Sequence, residues 1–169
     1  MKISGSQIVP AARERAYALL QDPVVLAKCM PGVDHLAKTA DDEYAMKMKM
    51  AIASVSGLFD GKVRITDRTF PDHFRLIVEG SGKVGFVKGE GLLTLTPEGA
   101  STQVAYDGDV QIGGTIAAVG QRLLDATARM LIRKFFEKLA HVVTDLQSVG
   151  AKPEESTHET PKGAGGGLP

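Results

Sequence analysis

Few residues of this chain carry reactive chemistry, and their spacing decides what that chemistry can be. Cys29 is the single cysteine, which excludes an intrachain disulfide and a cysteine-rich zinc module. A reactive thiol needs a neighbouring cation or base. Only Lys28 stands beside Cys29, ahead of a Pro31-Gly32 turn, so a small buried hydrophobe is the favoured reading. His35, His73, His141 and His158 are scattered, without the H-x-H or H-x-x-x-H spacing of a metal site. No serine sits in a nucleophile elbow, and Asp41-Asp42-Glu43 reads as a solvated turn. Gly80-Ser81-Gly82-Lys83-Val84-Gly85 spells G-x-G-x-x-G. A dinucleotide site needs that motif between a parallel strand and a helix. Both flanks here read as antiparallel strand, so a bend or bulge in a curved sheet is favoured.

What is left is recognition. Met46, Met48 and Met50 share one face of a strand. Methionine adapts to irregular apolar partners, so that face lines either a methionine-rich core or a ligand space. Tyr44 or Tyr106 can offer a single hydroxyl to a quinone or carboxylate head, with a structural role favoured for each. Val84, Phe86 and Val87 are apolar and flanked by Lys83 and Lys88, a combination that suits a portal loop at a lipid interface. Lys47, Lys49, Lys62 and Arg64, with Arg68, share the outward face of two neighbouring strands. That basic patch either docks acidic headgroups or an acidic protein surface, or protects the sheet.

The elements that position these residues follow from period and punctuation. Lys2 to Val9 alternates. Ala11 to Gln21 is helical after Pro10, with Ala16, Tyr17 and Leu20 inward, and Asp22-Pro23 starts a second short helix that Pro31-Gly32 ends. The period then changes to two. Strands are expected around Tyr44–Ile52, Phe59–Arg68, Phe74–Val78, Gly91–Leu95 and Val104–Ile112, with breaks at Gly57, Pro71-Asp72 and Pro97-Glu98-Gly99. Thr115 is a candidate N-cap for a helix of about 30 residues, or about 45 Å, with Gly150 as its stop. Its inner stripe is Leu124, Ala128, Leu131, Phe135, Leu139, Val142 and Leu146. The fold class is therefore α+β: a curved antiparallel sheet around one long C-terminal helix, with two short helices after the first strand. Residues 1–150 form one domain, and 151–169 read as a disordered tail.

Composition sets the outer limits. The 169 residues carry 20 basic and 20 acidic side chains and no tryptophan, which argues against a nucleic-acid partner. No apolar run reaches the ~18 residues of a membrane span, and the first residues lack a signal-peptide stretch, so a cytoplasmic protein is expected. Nineteen glycines and six methionines make a space between sheet and helix hard to fill. A cavity is the expectation, lined by Met46, Met48, Met50, Val63, Phe74, Leu76, Leu93, Tyr106, Leu124, Leu131 and Phe135.

This layout resembles the START-like, or helix-grip, superfamily of hydrophobic-ligand binders. The likeness narrows at Asp22-Pro23, Leu26-Ala27, Cys29-Met30-Pro31-Gly32, Ser56-Gly57-Leu58-Phe59-Asp60-Gly61, Lys88-Gly89-Glu90-Gly91, and from Gly113-Gly114 through Gly120 to Phe135-Phe136. In that order they resemble the carbon monoxide dehydrogenase G-subunit family over about residues 1–147. The resemblance implies a non-enzymatic accessory protein, with no covalent cofactor and a bound isoprenoid quinone as ligand. It also implies a molybdenum hydroxylase of the carbon monoxide dehydrogenase type as partner, at the inner face of the membrane. Lys83, Val84, Phe86, Val87, Lys88, Lys47, Lys49, Lys62 and Arg64 are then the expected membrane or partner contacts. Some family members carry a hydrophobic C-terminal anchor, and the tail here has none. The alternatives are a docking protein without ligand and a START-like enzyme, which would need inward acid and base groups.

Overall fold

The computed structural model describes the backbone of residues 1–159 and the side chains of residues 1–146. Its elements are β1 (Lys2–Val9), α1 (Arg13–Leu19), α2 (Pro23–Cys29), β2 (Ala37–Ala40), β3 (Glu43–Ile52), β4 (Val55–Thr69), β5 (His73–Gly82), β6 (Gly85–Glu98), β7 (Ser101–Gly113), a short 3-10 turn (Thr115–Val119) and α3 (Gln121–Glu159). The strands make one sheet in the order β1-β7-β6-β5-β4-β3-β2. Strands β2 to β7 form an antiparallel meander, and β1 returns to pair with β7 from Lys2↔Asp109 to Val9↔Thr102. The expected helix-grip arrangement is present, with the curved sheet packed against one long C-terminal helix.

Local chemistry explains most boundaries. Asp22 caps α2, its carboxylate accepting from the Val24 and Val25 amides at 2.9 and 3.4 Å, a contact worth about 1 kcal/mol. The first helix starts later than Pro10 predicts, because the Ala11 amide folds back on the Val9 carbonyl at 2.8 Å and Ala12 becomes the N-cap. Strand β2 has no sequence signal: all four of its residues are exposed, so nothing alternates. Gly57 does not end a strand. The β3–β4 hairpin turns at Ala53-Ser54, with Ile52 opposite Val55, and Gly57 lies inside β4 under the Val84 side chain. The G-x-G-x-x-G segment is a plain hairpin, β5 and β6 pairing up to Gly82↔Gly85 around Lys83-Val84.

The third helix also departs from expectation at both ends. Thr115 opens the 3-10 turn, and α3 begins at Gln121 after Gly120, whose φ of 100° breaks the run. The helix continues through Gly150, since glycine weakens a helix without forbidding it. The remainder of the expected tail, 160–169, lies outside the described residues. The inner stripe shifts along α3, so that Leu139 and Val143 are wholly buried while Leu146 is exposed.

Two apolar clusters hold these layers together. The larger joins Val9, Tyr17, Leu20, Val25, Phe74, Val104, Phe136, Leu139 and Val143, bringing α1, α2 and α3 onto the sheet. The smaller gathers Ile52, Phe59, Ile116 and Leu124.

Candidate functional site

Between the two clusters the sheet and α3 do not meet. A cavity of about 400 Å³ lies there, lined by members of both clusters: Leu20, Phe74 and Phe136 from the larger, and Ile52, Ile116 and Leu124 from the smaller. Ligand pockets run from roughly 300 to 1,000 Å³. Side chains alternate across a strand, so the inward faces can be read from register. They carry glycine at 61, 80, 89, 91 and 108, with Gly61 opposite Gly80 and Gly91 opposite Gly108. Each such position withholds a side chain from the concave layer. The hollow is built into the strands.

Of the residues expected to line this space, the structure brings together Met48, Met50, Val63, Phe74, Leu76, Leu93, Tyr106, Leu124, Leu131 and Phe135. Met46 is the exception. Its side chain folds over inward-facing Gly61, with Cε 3.1 Å from where a Cβ would stand, so it stays on the concave face but outside the lining, while its strand also borders a groove on the outward face of the sheet. Tyr44 is likewise absent from the lining. Sequence reasoning missed the floor supplied by Leu26, Met30 and Pro31, and the plug supplied by Ile116. It also missed Val78, Val110 and Ile112, whose alternation with residues already assigned inward could have found them.

The expected contact residues divide between two places. Lys47, Lys62, Phe86 and Lys88 border the outward groove, with Lys47 paired to Asp60 at 3.0 Å. Lys49 and Arg64 are exposed on the same face, and Lys83 is exposed at the β5–β6 turn. Val84 and Val87 do not project into solvent as a portal loop would require. The hairpin folds back, so Val84 packs on the smaller cluster and Val87 joins the cavity wall.

The polar content of the cavity is small. Among the described residues its polar side chains are Tyr106 and Thr127, and it has no lysine, arginine, histidine, aspartate or glutamate. The Thr127 hydroxyl already donates to the Leu123 carbonyl at 2.8 Å. No cluster of three or more metal-ligating side chains occurs among the described residues. Cys29 lies in the larger cluster at zero exposure, and burial pushes its thiol above the usual cysteine range. That setting favours the neutral thiol, the unreactive form.

An apolar space between a curved sheet and a long helix fits the resemblance drawn from the motifs, and the comparisons with known proteins decide it. The family model for the G subunit of carbon monoxide dehydrogenase (CoxG) matches residues 5–144. The chain belongs to the CoxG family. A conserved protein of Geobacillus kaustophilus of known structure is 35% identical, with a TM-score of 0.82 over 86% of this chain and 96% of that one. A START superfamily protein from Mycobacterium smegmatis is 17% identical, with a TM-score of 0.63 over 86% and 98%. The Zhui aromatase/cyclase from Streptomyces sp. R1128 is 10% identical, with a TM-score of 0.56 over 83% and 92%. The last two share the fold alone. No curated protein matches. Among the described residues of this CoxG-family chain, no helix is long and apolar enough to cross a membrane.

Proposed function

We propose that this chain is a non-enzymatic carrier. It holds a lipophilic ligand, an isoprenoid quinone, between sheet and α3, and links a molybdenum hydroxylase of the carbon monoxide dehydrogenase type to the membrane surface. The observation that carries the reading is the cavity: about 400 Å³ with an apolar lining. Such a space offers water few hydrogen-bond partners and takes an apolar guest more readily. A ring with one or two isoprene units is of the right order for it, and a longer tail would have to leave the space. An enzyme of the same fold would need acid and base groups facing the substrate, and the described lining supplies no such pair.

The outward face supports the membrane part. Leu58 and Phe86 are 52% and 42% exposed; Leu58 stands opposite Lys49, and Phe86 lies between Lys83 and Lys88 in sequence. Exposed apolar side chains near lysines suit an acidic headgroup layer. Organic extraction of the purified protein, followed by mass spectrometry, tests the carrier. A recovered isoprenoid quinone supports it, and a repeatedly empty protein points to a docking role without ligand. Co-sedimentation with anionic vesicles, lost in a Lys49→Glu/Lys88→Glu variant, tests the face.

A further inference from the structure

Tyr106 is the polar exception in an apolar room. Its ring projects from β7 into the cavity and its hydroxyl reaches across to β1, where it lies directly over Gly5. A Cβ on residue 5 would stand 2.6 Å from that oxygen. The absence of a side chain on the edge strand is therefore what lets the hydroxyl occupy its place. On the far side of β1 the helix closes in, with Arg129 Nη1 donating to the Ser4 carbonyl at 3.4 Å. Among the described residues the Tyr106 hydroxyl has no hydrogen-bond partner. Thr127 has already committed its proton to Leu123. One O–H donor without a protein partner therefore stands at the β1 edge of an otherwise apolar space.

We infer that Tyr106 selects the ligand by donating to a neutral carbonyl oxygen, and that Gly5 is the positioning residue that aims it. The inference rests on the carrier reading and names the head chemistry the carrier accepts. A carbonyl can use the donor without bringing charge into the cavity. A carboxylate or phosphate would be desolvated with no charged side chain in the lining to meet it, the Met1 ammonium being held by Asp109 and the Val110 carbonyl, a far larger cost than one hydrogen bond recovers. A plain hydrocarbon would bind by burial alone and leave the hydroxyl unpaired. The preferred guest is thus an uncharged ketone or quinone, ranked above both fatty acid and hydrocarbon.

The experiment is a cycle between protein and ligand, measured by binding titration on the full chain freed of lipid. The ligands are a short-chain naphthoquinone, the matching alkylnaphthalene without carbonyl oxygens, and a fatty acid of similar length. Tyr106→Phe removes the hydroxyl and keeps the ring. It is expected to weaken the naphthoquinone about five- to tenfold, the size of one neutral hydrogen bond, and to leave the alkylnaphthalene within about twofold. Gly5→Ala pushes the hydroxyl aside and is expected to produce the same selective loss with the tyrosine intact. Melting curves of both variants confirm the fold. Equal weakening of both ring ligands by Tyr106→Phe, no weakening of either, or wild-type preference for the fatty acid at neutral pH would overturn the inference and leave the carrier standing. If Gly5→Ala keeps full naphthoquinone affinity, the positioning role falls. Wild-type protein that binds none of the three removes the carrier reading and this inference together.

Discussion

The two ends of the interior are built differently. At one end α1, α2 and α3 converge on the sheet, and Ala16, Cys29, Val104, Leu139 and Val143 are wholly buried. Two polar side chains there are tied down: the buried Thr102 hydroxyl donates to the Ala11 carbonyl at 2.8 Å, and Tyr17 donates to the His73 carbonyl at 3.1 Å. Tyr17 also meets Phe70 and Phe74 edge-on at 5.3 and 5.5 Å. At the other end four buried residues suffice, and one of them, Ile116, sits in a short turn between Gly114 and Gly120, both at positive φ. Interiors gain stability from dense mutual contact. The larger end is thus the foundation of the fold, and the smaller one covers the cavity with far fewer buried residues.

That contrast makes a quantitative claim about truncation. Leu139→Ala opens a hole in a fully packed region and is expected to cost about 2–5 kcal/mol, toward the upper end. Ile116→Ala removes a similar volume beside a space that already exists and is expected to cost at most about 2 kcal/mol, at the low edge of the same range. Urea unfolding midpoints for the two variants measure the difference. Equal losses would mean that both ends carry the fold alike and that the contrast is one of appearance.

Enlargement sharpens the same comparison with a smaller effect. Ala16 and Ala128 are both helical alanines, so exchanging either for leucine changes helix propensity little. Ala16 is at zero exposure inside the larger cluster, whereas Ala128 faces the cavity. Ala16→Leu should lose about 1–3 kcal/mol by overpacking. Ala128→Leu, like Met48→Phe, should keep or raise the melting temperature and weaken quinone uptake. Should both cavity variants destabilise the ligand-free protein as much as Ala16→Leu, the interior is packed and the carrier gives way to docking.

How much of this could be read from the residues depends on whether the signal was periodic. Strands with one buried face announced themselves, because Met48 and Met50, or Val63 and Ile65, alternate with charges. The cap at Asp22 was equally plain. The exposed strand β2 was not, since Ala37-Lys38-Thr39-Ala40 has no face to bury. Hairpin ends misled where glycine was taken for a break: Gly57 stays in the ladder because Val84 needs its space, while Ala53 at a φ of 55° makes the turn. The cavity was legible as an expectation from glycine content, but its cause was finer than composition. Gly61, Gly91 and Gly108 occupy inward positions of the alternation, and their cross-strand partnership appears only with the register. Met46 has the right parity but not a place in the lining, because parity says which face a side chain leaves from and not how far along that face its flexible end reaches, here over Gly61.

Cys29 reports on the comparison by a rate. Its thiol is buried in the larger cluster and held neutral by that burial, so iodoacetamide at neutral pH should leave the native protein unlabelled. Labelling then requires opening of the larger end, and its rate tracks the free energy of that opening. Leu139→Ala is expected to accelerate labelling strongly and Ile116→Ala only slightly. Fast labelling of the wild type would show that the larger end opens locally and is not the foundation.

The smallest effect comes from a strap on the surface beside the larger end. Arg68 donates to the Asp42 carboxylate and to the Gln21 amide oxygen, both at 2.6 Å, joining the β2–β3 turn to β4 and to the link between α1 and α2. The Asp42 carbonyl also accepts from the Ile65 amide at 3.0 Å. The hydrogen bond from Arg68 holds the Asp42 carboxyl below the usual aspartate range. A depressed carboxyl contributes stability that is fully present above its unfolded value, near pH 4, and is lost as pH falls through the lower folded value. Wild type should therefore melt slightly above Asp42→Asn at pH 7, with the gap narrowing below about pH 4 and closing in stronger acid. Because the pair is solvent-exposed, added salt should shrink the gap at pH 7 as well. A gap that persists unchanged through the acid range would assign the effect of Asp42 to its turn backbone at a φ of 62° and remove the charge from the account.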